Sequence, residues 1–272
     1  MSDFIEPQVS PLLRAIDVHG HYGVYVRDNK PIYRELMTGL AAEVSARARA
    51  VNIEWTVVSP LTSLLPRGRA DAVAGNQEAL EIIPKTPGLL QWVVVNPLQP
   101  ESYDQAAEML TKPHCMGIKI HPEEHCYPIK EHGRALLEFA ARHRAVVLTH
   151  SGEANSLPAD FVPFMNELPE ATLILAHIGA SEGDAIDLQV RAVQASKHGN
   201  IYADTSSARS VWSGLIEWAV REAGADRVLF GSDTPLYSAA AQRARVDCAD
   251  LTVAQKERVL VGNARRLLRI PA

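Results

Sequence analysis

The stretch Ala15-Ile16-Asp17-Val18-His19-Gly20-His21 decides how this chain is interpreted. An apolar run ends in a His-x-His pair, and alternate residues of a strand point to the same face. His19 and His21 would therefore face the same way, and Gly20 leaves room between them. Two imidazoles side by side can supply two ligands to one metal ion. Among 10 histidines in 272 residues such a pair arises easily by chance, so its meaning depends on the rest of the chain.

Seven further apolar runs follow, with helical patterns between them. The eight predicted strands are residues 15–19, 54–59, 89–96, 117–121, 145–150, 171–177, 200–204 and 227–232. The predicted helices are residues 31–51, 70–83, 101–110, 131–143, 158–168, 184–197, 209–223 and 237–246. The runs are continuous and rich in Val, Ile and Leu, as in parallel strands buried on both faces. Eight such units in about 250 residues predict an α/β fold, a single (β/α)8 TIM barrel.

The whole chain, residues 1–272, is expected to be one domain because no linker or shift in composition divides it. The barrel should span about residues 15–250, and the C-terminal part, about 251–272, should form two short helices. The second of these, residues 264–268, is predicted to have Asn263 as its N-cap. A doubly wound open sheet is the alternative fold, but no Gly-x-Gly-x-x-Gly follows the first strand.

The composition limits the classes of partner that the protein is expected to bind. A formal net charge of −5 argues against a nucleic-acid or acidic-membrane surface, although a local Arg or Lys can still bind an acidic substrate. Three cysteines lack metal-finger spacing and are expected to be reduced thiols. No run approaches the roughly 18 apolar residues of a membrane span, and residues 1–11 lack a signal-peptide pattern. A cytoplasmic protein acting on a small molecule is expected, and a homo-oligomer is compatible with the sequence.

Polar residues gather at the carboxyl ends of the predicted strands, where barrel enzymes carry their catalytic groups. His19, His121, His150 and His177 end the first, fourth, fifth and sixth strands, and Asp233 follows the eighth. Imidazole nitrogens with one carboxylate are the donor set of a catalytic divalent ion, which would activate water. Asp233 could then both bind the ion and accept a proton, or it could simply cap a helix.

This pattern resembles the metal-dependent amidohydrolase superfamily. The Ile-Asp-x-His-x-His opening and the Gly-Ser-Asp-Thr-Pro segment at residues 231–235 are most similar to its amidohydrolase-related branch, which includes a semialdehyde decarboxylase and dicarboxylate lactonases. The resemblance extends over residues 15–268. It implies one divalent ion bound by His19, His21, His150 and Asp233. It also implies that His177 orients or activates water or polarises the substrate, and that Asp233 is the proton acceptor.

Lys119 leaves the number of metal ions open. Some members of the superfamily carry a carboxylated lysine on strand four that bridges two ions, but in the branch that this chain resembles it is not generally a bridge. We expect one ion, with two as the alternative. Zinc is expected, and manganese, iron and cobalt suit the same ligands. Lys119 and His121 share a face and are expected to bind an anionic substrate group, and Arg209 could clamp a substrate carboxylate.

The expected function is a hydrolase in which metal-activated water attacks an amide, lactone or ester carbonyl of a small molecule. Non-oxidative decarboxylation of an unsaturated or aromatic carboxylate at the same site is the alternative. A zinc-dependent aldolase is disfavoured because the segments after strands seven and eight lack a glycine-rich phosphate site. A non-catalytic scaffold is disfavoured because all five residues of the pattern are present.

Overall fold

The computed structural model describes residues 13–27, 31–207 and 211–270. Within them, eight strands pair in parallel and in chain order. They are β1 Ala15–Tyr22, β2 Ile53–Pro60, β3 Leu89–Val94, β4 Cys115–Ile120, β5 Val146–Thr149, β6 Thr172–Leu175, β7 Ile201–Asp204 and β8 Val228–Leu229. The segment after β8 also bonds to β1, since the Val18 amide donates to the Phe230 carbonyl at 3.0 Å. The predicted (β/α)8 barrel is confirmed.

Helices surround the strands. They are α1 Pro31–Met37, α2 Ala41–Ala50, α3 Ala72–Ile82, α4 Glu101–Met109, α5 Pro122–His125, α6 Ile129–Arg142, α7 Pro158–Glu167, α8 Leu188–Gln194, α9 Leu215–Ala223, α10 Ala239–Asp247, α11 Val253–Glu257 and α12 Asn263–Leu268. A π-helical turn, Arg258–Gly262, joins the last two. Over the described ranges, no helix is long and apolar enough to cross a membrane.

The predicted helix at residues 31–51 is in fact two helices, α1 and α2. Gly39 lies between them and forms an antiparallel bridge with Gly23, whose amide donates to the Gly39 carbonyl at 2.8 Å. A Cβ at Gly39 would lie 2.8 Å from the Cβ of Pro235. The helical break therefore lets the segment after β1 lie against the segment after β8, an interaction between distant residues that the apolar stripe did not reveal.

The predicted cap of the last helix is wrong. Asn263 is the first residue of α12, and its side-chain amide donates to the carbonyls of Ala225 at 2.7 Å and Val228 at 2.8 Å. The helix continues directly from the π-helical turn, so no free helix start is left for a cap. The side chain ties the C-terminal helices to β8 instead.

The inside of the barrel is filled by apolar side chains below the carboxyl ends of the strands. Trp92 is the largest fully buried residue, and its indole donates to the Val18 carbonyl at 2.8 Å. A second apolar layer joins the outer faces of the strands to the helices. Polar side chains therefore converge at the carboxyl ends of the strands, as expected for this fold.

We expect Gly117→Ala to lower the free energy of unfolding by about 3 kcal/mol, because overpacking a rigid core displaces its neighbours. A Cβ at this position on β4 would lie 2.3 Å from the Val146 carbonyl oxygen and 2.6 Å from the Trp92 ring. Urea denaturation measures the effect. Gly183→Ala is the control, since a Cβ there meets nothing within 4 Å. Equal stability of the two variants would contradict the observed packing.

Candidate metal centre

His19 and His21 reach the cavity from the end of β1. All eight residues of that strand are buried. Gly20 lies between them with no room for a side chain, because a Cβ would lie 2.6 Å from a methyl carbon of Thr56. Asp233 approaches from the segment after β8, where its amide donates to the His19 carbonyl at 2.7 Å. The predicted spacing therefore does bring these three residues together.

The three side chains converge on one point. Asp233 Oδ1 lies 3.1 Å from His21 Nε2 and 3.6 Å from His19 Nε2. One ligand atom from each residue lies within 4.8 Å of the other two. Asp233 has a left-handed backbone with φ of 59°. Such a backbone is costly for most residues and is found where surrounding structure enforces it, often at functional sites.

The partners of the imidazoles show what these atoms can bind. His19 Nδ1 lies 3.0 Å from Asp204 Oδ2, and His21 Nδ1 lies 3.2 Å from the Ser59 carbonyl. A carboxylate only accepts, so in the neutral ring His19 Nδ1 donates to Asp204 and His19 Nε2 carries a lone pair. His21 Nδ1 also lies 2.9 Å from the Ser59 hydroxyl, which can either donate or accept. The His19 lone pair, His21 Nε2 and the Asp233 carboxylate face one another, an arrangement that a cation between them stabilises. The residues fit a divalent metal ion.

Electrostatics supports an ionised Asp233 beside a neutral His19. Burial raises the pKa of Asp233, but attraction to His19 when that ring is protonated and a hydrogen bond from His21 outweigh burial and hold that pKa below its ordinary value. Burial lowers the pKa of His19 well below its ordinary value and that of His177 to about 4. At neutral pH His19 and His177 are therefore neutral and Asp233 is ionised, and these are protonation states that suit a metal ion.

Lys119 lies inside the barrel, next to this group. Its side chain is 1% exposed, and its Nζ lies 3.0 Å from His19 Nε2. Burial lowers the pKa of Lys119 to about 8. An adjacent dication would disfavour the ammonium further. Lys119 therefore loses its proton at lower pH than an exposed lysine does, and its predicted roles in binding an anion or in carrying a bridging carboxylate stay predictions.

His150 lies beside His19, His21 and Asp233, but its hydrogen bonds are with other residues. Its Nδ1 lies 3.1 Å from His177 Nε2, and its Nε2 lies 3.0 Å from Glu153 Oε1. His177 Nδ1 lies 2.6 Å from the Ser206 carbonyl. In this conformation both ring nitrogens of His150 have partners, so ligation would require the ring to turn. Its role as a metal ligand and the catalytic role of His177 stay predictions.

Of the other residues predicted to bind substrate, His121 can be located in the structure and Arg209 cannot. His121 lines the cavity and stacks on His150 with ring centroids 4.3 Å apart, and its Nδ1 accepts from the Glu124 amide at 3.3 Å. Arg209 lies outside the described residues. Asp17 accepts from the amides of His19 at 3.0 Å and Ser232 at 2.9 Å. Asp17 thus fixes the backbone around the site.

Asp204 is a candidate site residue that the sequence did not reveal. Its Oδ2 accepts from His19, while its Oδ1 accepts from the amides of His177 at 3.0 Å and Ser206 at 2.9 Å. The carboxylate thus orients a proposed ligand and joins it to β6 and β7. Its position as the last residue of a predicted strand was the signal that could have revealed it, since His19, His150 and His177 share that position.

The cavity above the three residues measures about 320 Å³. This volume is typical of small-molecule sites. One part of its wall consists of His19, His21, His121, His150, His177 and Asp233, and other parts include Tyr25, Arg27, Arg67, Glu124 and Glu153. The walls are rich in charged and polar groups, which suit a polar small molecule better than an apolar one.

A family model described as amidohydrolase matches residues 16–270. A search of curated proteins gives no match. Solved structures share the fold. A dihydroxybenzoic acid decarboxylase from Polaromonas, with bound manganese and 2-nitroresorcinol, is 14% identical with a TM-score of 0.70, covering 94% of this chain and 97% of its own.

Two further structures are similar. A 5-carboxyvanillate decarboxylase from Sphingomonas paucimobilis is 14% identical with a TM-score of 0.72, covering 95% of this chain and 100% of its own. A protein assigned as a 2-pyrone-4,6-dicarboxylic acid hydrolase from Pseudomonas putida is 18% identical with a TM-score of 0.66, covering 94% and 98%. These identities show a shared fold, whereas the family model covers nearly the whole chain. The chain belongs to the amidohydrolase family of metal-dependent enzymes.

Proposed function

We propose that the protein is a metal-dependent hydrolase that opens a lactone, ester or amide of a small acidic molecule. The observation that carries the proposal is the buried Asp233 carboxylate, which is held ionised against His19 and His21. Hydrolysis requires a group that takes a proton from the attacking water, and an ionised carboxylate in a cavity serves as that base. Asp233 is ionised at neutral pH, so it has no proton to donate and can act only as the acceptor.

A divalent ion bound by His19, His21 and Asp233 would polarise the substrate carbonyl and acidify water. Zinc is expected from the ligand types, and manganese is supported by its presence in the structure of the Polaromonas decarboxylase. Asp204 holds His19 in the tautomer that leaves Nε2 available. His177, held through Nδ1 by Ser206, is placed to orient the substrate or the water. Asp233 takes the proton.

Decarboxylation is the second candidate, and Lys119 is the observation that favours it. Removing carbon dioxide from an aromatic carboxylate requires a proton donor to the ring carbon that is left. Lys119 is a buried amine whose Nζ lies 3.0 Å from His19 Nε2, so a titratable proton lies beside the proposed metal ligands. Two of the similar structures are decarboxylases of aromatic acids. The same cavity could therefore serve either reaction.

One experiment separates the two reactions. Protein purified without chelator is loaded with zinc or manganese and incubated with 2-pyrone-4,6-dicarboxylate, 2,6-dihydroxybenzoate and 5-carboxyvanillate. Acid release, ring absorbance and carbon dioxide are then followed. We expect ring opening with acid release and no carbon dioxide. Carbon dioxide release with an intact ring would reject the hydrolase in favour of the decarboxylase.

A further inference from the structure

His121 lies where β4 ends and α5 begins. The next residue is Pro122, and proline is favoured at the first position of a helix because its fixed φ suits the helix and its missing N–H is not needed there. His121 is the N-cap of α5, and its Nδ1 accepts from the Glu124 amide at 3.3 Å. The imidazole thus provides the acceptor that an amide at the start of a helix lacks within the helix itself.

This hydrogen bond determines which nitrogen of His121 carries the ring proton. A backbone amide only donates, so Nδ1 holds a lone pair and the proton of the neutral ring lies on Nε2. In an imidazolium, Nδ1–H would face the N–H of Glu124, and in a ring turned over, a carbon would face it. Both arrangements would leave this amide of a buried residue without its acceptor, which is unfavourable.

The plane of the His121 ring is fixed as well. The ring stacks on His150, with centroids 4.3 Å apart and planes within 10°. His150 is in turn held at both nitrogens, by His177 and by Glu153. His121 lines the cavity, and no described residue accepts a hydrogen bond from its Nε2. The cavity wall therefore presents an oriented N–H group that is available to a bound molecule.

β4 brings this donor close to the candidate metal centre. Lys119 precedes His121 by two residues, and its Nζ lies 3.0 Å from His19 Nε2. His19, His21, His121 and Asp233 line the same cavity. A small molecule with its carbonyl at the metal centre can therefore contact His121 without leaving the cavity.

We propose that Nε2–H of His121 donates a hydrogen bond to the substrate oxygen that becomes negative when the carbonyl is attacked. The Glu124 amide keeps the ring in the tautomer that makes this possible. The inference rests on the proposed function in one respect, that the reacting carbonyl lies at His19, His21 and Asp233. An oriented neutral N–H stabilises negative charge as it develops. It also requires no cation to be buried in the wall. The proton stays on Nε2, so His121 transfers none.

The first test locates the ring proton and does not depend on turnover. The protein is labelled with 15N at histidine and loaded with zinc, which is diamagnetic, and two-bond 1H–15N correlation spectra report which ring nitrogen is protonated. The signals of His121 are assigned by their absence from His121→Asn. We expect the proton on Nε2 at neutral pH. A proton on Nδ1, or on both nitrogens, would overturn the proposal.

The second test compares the kinetics of His121→Asn with those of the wild type. Asparagine is a strong N-cap, so its Oδ1 can still accept from the Glu124 amide, but it lacks the Nε2–H group. We expect kcat to fall about 100-fold, KM to stay within about threefold, and the urea midpoint of unfolding to stay near that of the wild type. His198→Asn is the control, since it makes the same change at an exposed residue that does not line the cavity. A kcat within about twofold of the wild type would overturn the proposal.

The two tests also separate this donor from the proposed function. A ring protonated on Nδ1 in a protein that hydrolyses one of the screened substrates would reject the donor and leave the proposed function intact. A ring protonated on Nε2 in a protein that hydrolyses none of them would support the fixed donor and count against hydrolysis.

Discussion

Replacing Asp233 with asparagine is expected to lower kcat/KM by about three orders of magnitude or more while leaving the protein folded. Asparagine keeps the shape of the side chain but has no negative charge, so it binds a cation weakly and cannot accept a proton from water. The fold should tolerate the change because the φ of 59° at this position suits asparagine as well as aspartate. Steady-state kinetics on the substrate found by the screen measures the loss.

Asp226→Asn is the matched control for Asp233→Asn. Asp226 pairs with Arg258 on the surface, and its side chain is 60% exposed, so the same chemical change there should leave turnover intact. If Asp233→Asn retained turnover within about tenfold of the wild type, Asp233 would be neither the proton acceptor nor a necessary ligand. Its position would then reflect only the conformation of the segment after β8.

Asp204→Asn is expected to weaken metal binding by about 10- to 100-fold and to reduce turnover by a similar or larger factor. The asparagine oxygen can still accept from the amides of His177 and Ser206, but its NH2 group would then face His19 Nδ1. Two donors cannot pair, so His19 is driven to the other tautomer and its Nε2 no longer offers a lone pair to the ion.

Metal titration with competing chelators measures this effect, alongside urea denaturation. The expected result is a large loss of metal affinity with a smaller loss of stability, because most hydrogen bonds of Asp204 survive in the amide. Unchanged affinity would show that Asp204 does not set the tautomer of His19. If the variant lost metal affinity only because it was unfolded, that result would also contradict a role of Asp204 in orienting His19.

The residues at the ends of strands could be predicted from the sequence because the barrel itself could. Continuous apolar runs with helical segments between them define eight parallel strands, and parallel strands present all their carboxyl ends at one face. His19, His21 and Asp233 lie at these ends, so recognising the fold also brought them together. The spacing of His19 and His21 depends only on strand geometry, which is the most regular part of the molecule.

Interactions that depend on loops could not be predicted in this way. The pairing of Arg27 and Arg67 on Glu124 joins three loops, and no periodicity encodes it. The orientation of the His150 ring depends on Glu153 and on neighbouring rings, not on its place at the end of a strand. The break in the helix at residues 31–51 likewise depends on a contact between Gly23 and Gly39.

Metal content per chain tests directly whether His19, His21 and Asp233 bind a divalent ion. Wild type, His19→Ala and Asp233→Asn are purified without chelator, dialysed against trace zinc and manganese, and analysed by plasma mass spectrometry. We expect about one equivalent of a divalent ion in the wild type and a near-complete loss in both variants. About two equivalents would instead support a bridging carboxylate on Lys119. A wild type that holds no ion and gains no thermal stability from added zinc or manganese would show that these residues do not form a metal site.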